Sequence, residues 1–207
     1  MKGILFNRSM YDSVISGEMT MTRRLIKPQP DFNGLHDHTK FPMSDHPSYT
    51  MDGFWGTVDE TGESKQFKPR YLPGETVYLK EPYYDFGLGT ILYKYRGDFV
   101  GDAHDSQNNM VWENPMFMPE IFARHFIEIL SVKAERLQDI SESEAILEGI
   151  GRWNAFYHAN LFDGKTGQLL VHITPQQAFA ALWDSINRKN KWDTNPFVWC
   201  YEFRLTK

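Results

Sequence analysis

Hydrophobic and polar positions follow two rhythms along this chain. Near the amino terminus Ile4, Leu5 and Phe6 form a short apolar run fit for a strand. Met10, Tyr11, Val14 and Ile15 then recur at helical spacing, with Asn7 or Ser9 as the cap and Gly17 as the stop. Residues 20 to 27 end at Pro28 and Pro30 and read as extended backbone. Pro73-Gly74 marks a turn ahead of a strand at Thr76, Val77, Tyr78, Leu79 and Lys80; Ile91 to Tyr95 is a further strand. Arg124 to Leu137 fits both periods, and its β-branched content favours a strand.

Two helices carry their own start signals. Ser141-Glu142-Ser143-Glu144 is a capping box ahead of Ala145, Ile146 and Leu147, with Gly149 ending the turn. Thr174-Pro175-Gln176-Gln177 is a second box, with proline at the first helical position, and Phe179, Leu182, Trp183 and Ile186 form one apolar stripe behind it. The chain closes on Phe197, Trp199, Tyr201, Phe203 and Leu205, alternating with Val198, Cys200, Glu202 and Arg204 as a strand does. Strands at both ends with helices between them predict an α+β fold, a small mixed β-barrel, partly closed, with packed helices.

Composition adds limits. The 207 residues suit one domain, 1–207, that needs neither disulfides nor structural metal for its core. The single cysteine, Cys200, and a start too short and polar for a signal peptide point to a reducing, cytoplasmic setting, and no apolar run approaches a membrane span. The formal charge of −5 argues against a non-specific nucleic-acid coat. That acidity is local, however. Residues 31–64 hold seven acids and one base among prolines and glycines, so this loop-rich insertion carries −6 and the rest of the chain +1. Residues 97–113, rich in Gly, Asp, Asn and Ser, form a second loop.

The densest polar segment is Thr20-Met21-Thr22-Arg23-Arg24. Two hydroxyls beside two planar guanidiniums make an anion or nucleotide contact, competing with the plainer reading of a solvated turn. Arg23→Ala and Arg24→Ala are expected to weaken that contact. Glu81, after Lys80 at the end of a strand, is a pocket carboxylate or half of a surface ion pair. Tyr83 and Tyr84 are candidates to stack on a base, as are Trp55, Trp112 and Trp153, whereas Trp183, Trp199, Phe197 and Tyr201 belong to the core. His36-Asp37-His38 with Asp45-His46 has ligand chemistry but no fixed second element, so no metal site is assigned, and no motif calls for a cofactor.

Six segments in order resemble one family. Val14 to Pro30, with Gly17 and Thr20-Met21-Thr22-Arg23-Arg24, resembles the opening motif of the ASCH-domain proteins of phages and prophages. Pro73 to Glu81, Met116-Phe117-Met118-Pro119 ahead of Arg124, Leu137 to Glu142 with Glu148-Gly149-Ile150, Ala181 to Asn187, and Trp192-Asp193 with Asn195 to Trp199 continue the likeness. Residues 31–64, 97–113 and 151–173 fall outside it. The resemblance implies a PUA-like β-barrel and a protein that binds RNA or a nucleobase- or nucleoside-like ligand. The polar cleft would hold Thr20, Arg23, Arg24, Lys80, Glu81 and Tyr83.

Relatives of this type include an amidohydrolase acting on 4-acetylcytidine and a ribonuclease. The amidohydrolase branch implies a catalytic set of a motif lysine, Thr22 and Glu148. Met19 stands where that family carries the lysine, and a thioether neither moves a proton nor holds negative charge. Lys80 or Arg23 is the candidate for the missing cation. Binding is therefore the leading expectation, with amide or RNA hydrolysis and a non-enzymatic role in phage structure or morphogenesis as rivals.

Overall fold

The computed structural model describes residues 1–29, 55–58, 64–85, 91–93, 112–162 and 164–206. The histidine cluster at 36–46, nearly all of the acidic insertion and most of the 97–113 loop lie outside these residues.

The elements follow the two rhythms closely. Strand β1 (Gly3–Leu5) leads to helix α1 (Arg8–Ser16). Asn7 is its cap, the side chain accepting from the Met10 N–H, and Gly17 at φ 80° ends it in the left-handed conformation. Strand β2 (Met21–Leu25) follows, then hairpin strands β3 (Trp55–Val58) and β4 (Ser64–Phe67). Next come β5 (Thr76–Lys80), β6 (Tyr83–Asp85) and β7 (Ile91–Tyr93). The ambiguous stretch is strand β8 (Phe126–Arg136).

Both capping boxes form. Ser141 and Glu144 close the start of α2 (Glu142–Leu147), and Thr174 and Gln177 that of α3 (Pro175–Ile186). Each cap is worth about 1 kcal/mol. Between these helices, β9 (Gly151–Trp153) and β10 (Phe156–His158) make a hairpin that carries Trp153 exposed at its end. The last strand is β11 (Phe197–Leu205).

Five strands make the main sheet, in the order β1-β5-β8-β11-β2. Only β1 and β5 run parallel; the other three pairs are antiparallel. The fold is thus α+β with a mostly antiparallel sheet. Its edges, β1 and β2, share no ladder among the described residues, so the sheet is open rather than closed into a ring.

Strand β11 shows why the sheet is covered on both sides. Phe197, Trp199, Tyr201 and Phe203 join Ile4, Tyr11, Val14, Met19, Val77, Leu79, Ile127 and Ile129 in one core. Val198, on the opposite face, joins Leu137, Ala145, Phe179, Leu182 and Trp183 in a second core beneath α2 and α3. Five successive buried residues at the start of β11 record that double burial. Trp183, Trp199, Phe197 and Tyr201 are core residues, as their pattern predicts. Ile186, the last of the α3 stripe, is instead half-exposed. No helix among the described residues is long and apolar enough to cross a membrane.

Candidate functional site

The site grows from β2, an edge strand whose alternation splits the polar motif. In the antiparallel register Thr22 lies opposite Tyr201, Arg23 opposite Cys200 and Arg24 opposite Trp199. Thr22 and Arg24 therefore share the sheet face of the Tyr201 core, while Arg23 points to the face covered by the helices. At the free edge of β2 the two faces meet in a cavity of about 370 Å³. Thr22, Arg23, Arg24 and Glu148, with Asn7 and Asn187, give it polar lining, and Phe6, Met10, Phe179, Leu182 and Trp183 contribute apolar lining. Ile186 lines it too, which accounts for its departure from the core.

Glu148 reaches this cavity because α2 ends there. Its backbone N–H closes the last turn on Glu144, and Gly149 takes φ 90°, with Met19 beneath it. The Thr20 N–H donates to the Leu147 carbonyl at 3.0 Å, tying the end of α2 to the start of β2.

Arg23 is wholly engaged within the protein. Its Nε donates to Glu135 Oε1 at 2.8 Å, Nη1 to Glu148 Oε1 at 3.0 Å and Nη2 to Glu144 Oε2 at 3.1 Å. Lys133 Nζ stands 2.7 Å from Glu144 and 2.8 Å from Glu135. Two cations thus face three carboxylates, and one carboxylate is in surplus. Glu148 is that one: burial pushes its carboxyl up to about 7, against the opposing pull of Arg23. Glu144 behaves oppositely. Burial works against its ionisation, but hydrogen bonds from Lys133 and the Ser141 N–H, with the Arg23 charge, hold it down at about 2. Burial likewise works against the Arg23 charge, and the carboxylates around it, Glu148 foremost, raise its pKa instead.

Arg24 and Thr22 are different. Arg24 Nη2 donates to the Leu5 carbonyl at 2.9 Å and the guanidinium lies 5.0 Å from the centre of the Phe6 ring. Its buried Nε, and the buried Thr22 Oγ1, have no hydrogen-bond partner. With His172 Nε2 these are the only such side-chain atoms among the described residues, and two of the three belong to residues of this cavity. Buried polar groups are nearly always paired, so an orphaned pair at one cavity marks a place for something else.

The remaining expected site residues go elsewhere. Glu81 is fully buried and does not line this cavity; it accepts from Tyr11 Oη at 2.8 Å and from Arg124 Nε and Nη2 at 2.7 and 2.6 Å. Neither the pocket wall nor the surface ion pair describes it. Tyr83, on β6, is buried against Phe122 rather than offered for stacking. Thr20 uses its backbone, accepting from the Phe203 N–H at 2.8 Å. Lys80 is half-buried with its Nζ on the Met116 carbonyl, away from Thr22 and Glu148. Met19 is 1% exposed in the core and does not line the cavity. Sequence reading missed Lys133, Glu135, Glu144, Tyr11 and Arg124. Only Glu144 carried a local signal, as the closing residue of its capping box, and that signal concerned the helix.

No family model, curated protein or solved structure matches this chain.

Proposed function

We propose that this protein binds RNA or a nucleobase- or nucleoside-like ligand in the cavity at the edge of β2, as a PUA-like barrel of ASCH type. The observation that carries the reading is the coincidence of two orphaned polar atoms, Thr22 Oγ1 and Arg24 Nε, at a cavity walled by Phe6, Phe179 and Trp183. A nucleobase is a flat apolar body with a polar edge, and such walls and such an edge are what it needs. The volume, about 370 Å³, lies within the range of small-ligand sites. The open sheet is compatible with a partly closed barrel, with Arg24 spanning the seam.

The test is calorimetric titration of cytidine, uridine, adenosine and a short single-stranded RNA at low salt. Thr22→Val keeps the shape and removes the hydroxyl, and the expected result is roughly a tenfold loss of affinity. Absence of binding by every one of these compounds to the wild type would sink the reading.

One observation favours a second reading, hydrolysis of a 4-acylated cytidine. Glu148 sits at the same cavity as Thr22 with its carboxyl near 7, a useful value for a general base. Against it, the position where the resembled family has lysine is Met19, buried away from the cavity. Turnover of 4-acetylcytidine that disappears in Glu148→Gln would replace binding by catalysis as the conclusion.

A further inference from the structure

Behind the Arg24 wall lies a second cavity, of about 540 Å³. Leu5, Arg24 and Leu25 line both cavities, so the two are neighbours across one guanidinium. Their polar chemistry differs. The first has a carboxylate, Glu148. The second draws Arg24 and Lys27 from β2 and the turn after it, Lys68 and Arg70 from the segment after β4, and Lys80 from the end of β5. Among its described lining residues there are five cations and no acid. Tyr71, Trp199 and Tyr201 contribute aromatic surface between them.

This gathering of charge is held against its own repulsion. Burial lowers the pKa of Lys80, and the Arg70 charge lowers it further. Burial lowers that of Arg24 as well, with Arg70 again adding to the effect. The Glu75 carboxylate is committed to Lys2 at 2.7 and 2.9 Å and to the Leu72 N–H at 3.0 Å. Arg70 is exposed, with its guanidinium 5.5 Å from the Tyr71 ring centre, and Lys27 is exposed. Like charges brought together in a concave, partly desolvated place attract an anion strongly, because one anion relieves several repulsions at once.

We infer that the second cavity is a phosphate subsite, so that the ligand is a nucleotide unit with its base on one side of Arg24 and its phosphate on the other. This rests on the reading that the first cavity takes a base. It deepens that reading by separating nucleotides from free nucleosides. The phosphate belongs either to a mononucleotide or to a continuing RNA strand, for which a cationic groove with aromatic surface is the usual arrangement.

The experiment compares cytidine, cytidine 5′-monophosphate and a single-stranded RNA of about six nucleotides by calorimetry at several salt concentrations. The proteins are the wild type, Arg70→Ala/Lys80→Ala and, as a variant at an exposed position outside the core, Lys27→Glu. The phosphate-bearing probes should bind at least about tenfold more tightly than cytidine. Both variants should erode that gain and flatten its salt dependence while leaving cytidine affinity as it was. A gain confined to the strand assigns the site to RNA backbone; an equal gain for the monophosphate assigns it to a single nucleotide. Cytidine, its monophosphate and the strand all binding equally, or a gain that survives both variants, overturns the phosphate subsite and leaves the base cavity standing. Phosphate-dependent binding lost in the variants, with no binding of cytidine, keeps the subsite as an anion site and removes the base reading. No binding of any probe removes both.

Discussion

Arg24 Nη2 donates to the carbonyl of Leu5 at 2.9 Å, and these residues belong to β2 and β1, the opposite edges of one sheet. A single side chain thus does at the seam what a backbone ladder does elsewhere, and both cavities lie beside it. Arg24→Ala should lower unfolding stability by about 1–3 kcal/mol, the worth of a charge-assisted hydrogen bond and a ring contact. Arg24→Lys should recover only part, since an ammonium lacks the fork. Denaturant unfolding of both variants measures this.

Arg23 predicts a larger and pH-dependent effect. Arg23→Met leaves Glu135, Glu144 and Glu148 facing Lys133 alone, and breaking a buried pair on one side costs about 3–5 kcal/mol. The cost should be smaller at pH 5 than at pH 8, because protonation relieves the excess carboxylates. Adding Glu148→Gln should rescue part of it. Equal losses at both pH values would contradict the charge network.

Glu148 has its own pH signature. Its folded pKa, about 7, exceeds the ordinary 4.5, so the folded state holds the proton more tightly. Stability from this group is full below about 4.5 and falls as pH rises towards 7, by about 1.4 kcal/mol for every tenfold difference in proton affinity between the folded and unfolded states. Glu144, held at about 2, has the opposite sign: its contribution is present above 4.5 and is lost as pH falls towards 2. Thermal melts across pH 3–9 should therefore show Glu148→Gln gaining on the wild type between pH 5 and 8. Glu144→Gln should lose most where the wild-type carboxylate is ionised.

Glu81 should be essential for stability. It holds Tyr11 on α1 and Arg124 ahead of β8 through three hydrogen bonds in a fully buried position. Glu81→Gln is expected to cost on the order of 2–4 kcal/mol and Tyr11→Phe about 1 kcal/mol. The double variant should cost less than their sum, because the two losses share one bond.

Met19→Lys, which would recreate the residue found in the resembled family, should fail as a repair. The side chain sits in the core next to Gly149, so an ammonium there costs on the order of 3 kcal/mol or more. The melting temperature should drop and hydrolysis of 4-acetylcytidine should not appear. A stable, active Met19→Lys protein would show that this position reaches the cavity.

What is legible in the sequence is whatever depends on neighbours along the chain. Asn7, Gly17, Ser141-Glu144 and Thr174-Gln177 punctuate their helices by local hydrogen bonds, and β11 declares itself by alternation. Thr22 and Glu148 line one cavity although well over a hundred residues separate them, and only the family resemblance, not their spacing, pairs them in the sequence. Residue type alone put Arg23 with Arg24 as one anion contact. Strand alternation, already implied by the extended backbone before Pro28, separates them. Glu81 and Tyr83 misled because burial is a property of packing: their partners Arg124 and Phe122 lie some forty residues on, with no periodic signal to connect them. The basic cavity has no signature in the sequence for the same reason, its lysines and arginines being scattered over several segments.

The alternation of β2 gives the motif something like a reading frame. Its meaning lies in phase as much as in letters: one arginine is answered by three carboxylates, the next by a carbonyl at the seam and an open wall. Deleting one residue between Gly17 and Thr22 would keep both arginines and turn each to the other face of the sheet, Arg24 into the place of Arg23 and Arg23 into that of Thr22. The acidic cluster would then hold the wrong guanidinium, and the seam would lose its Arg24 clasp. The segment is therefore bound by its length as tightly as by its two guanidiniums.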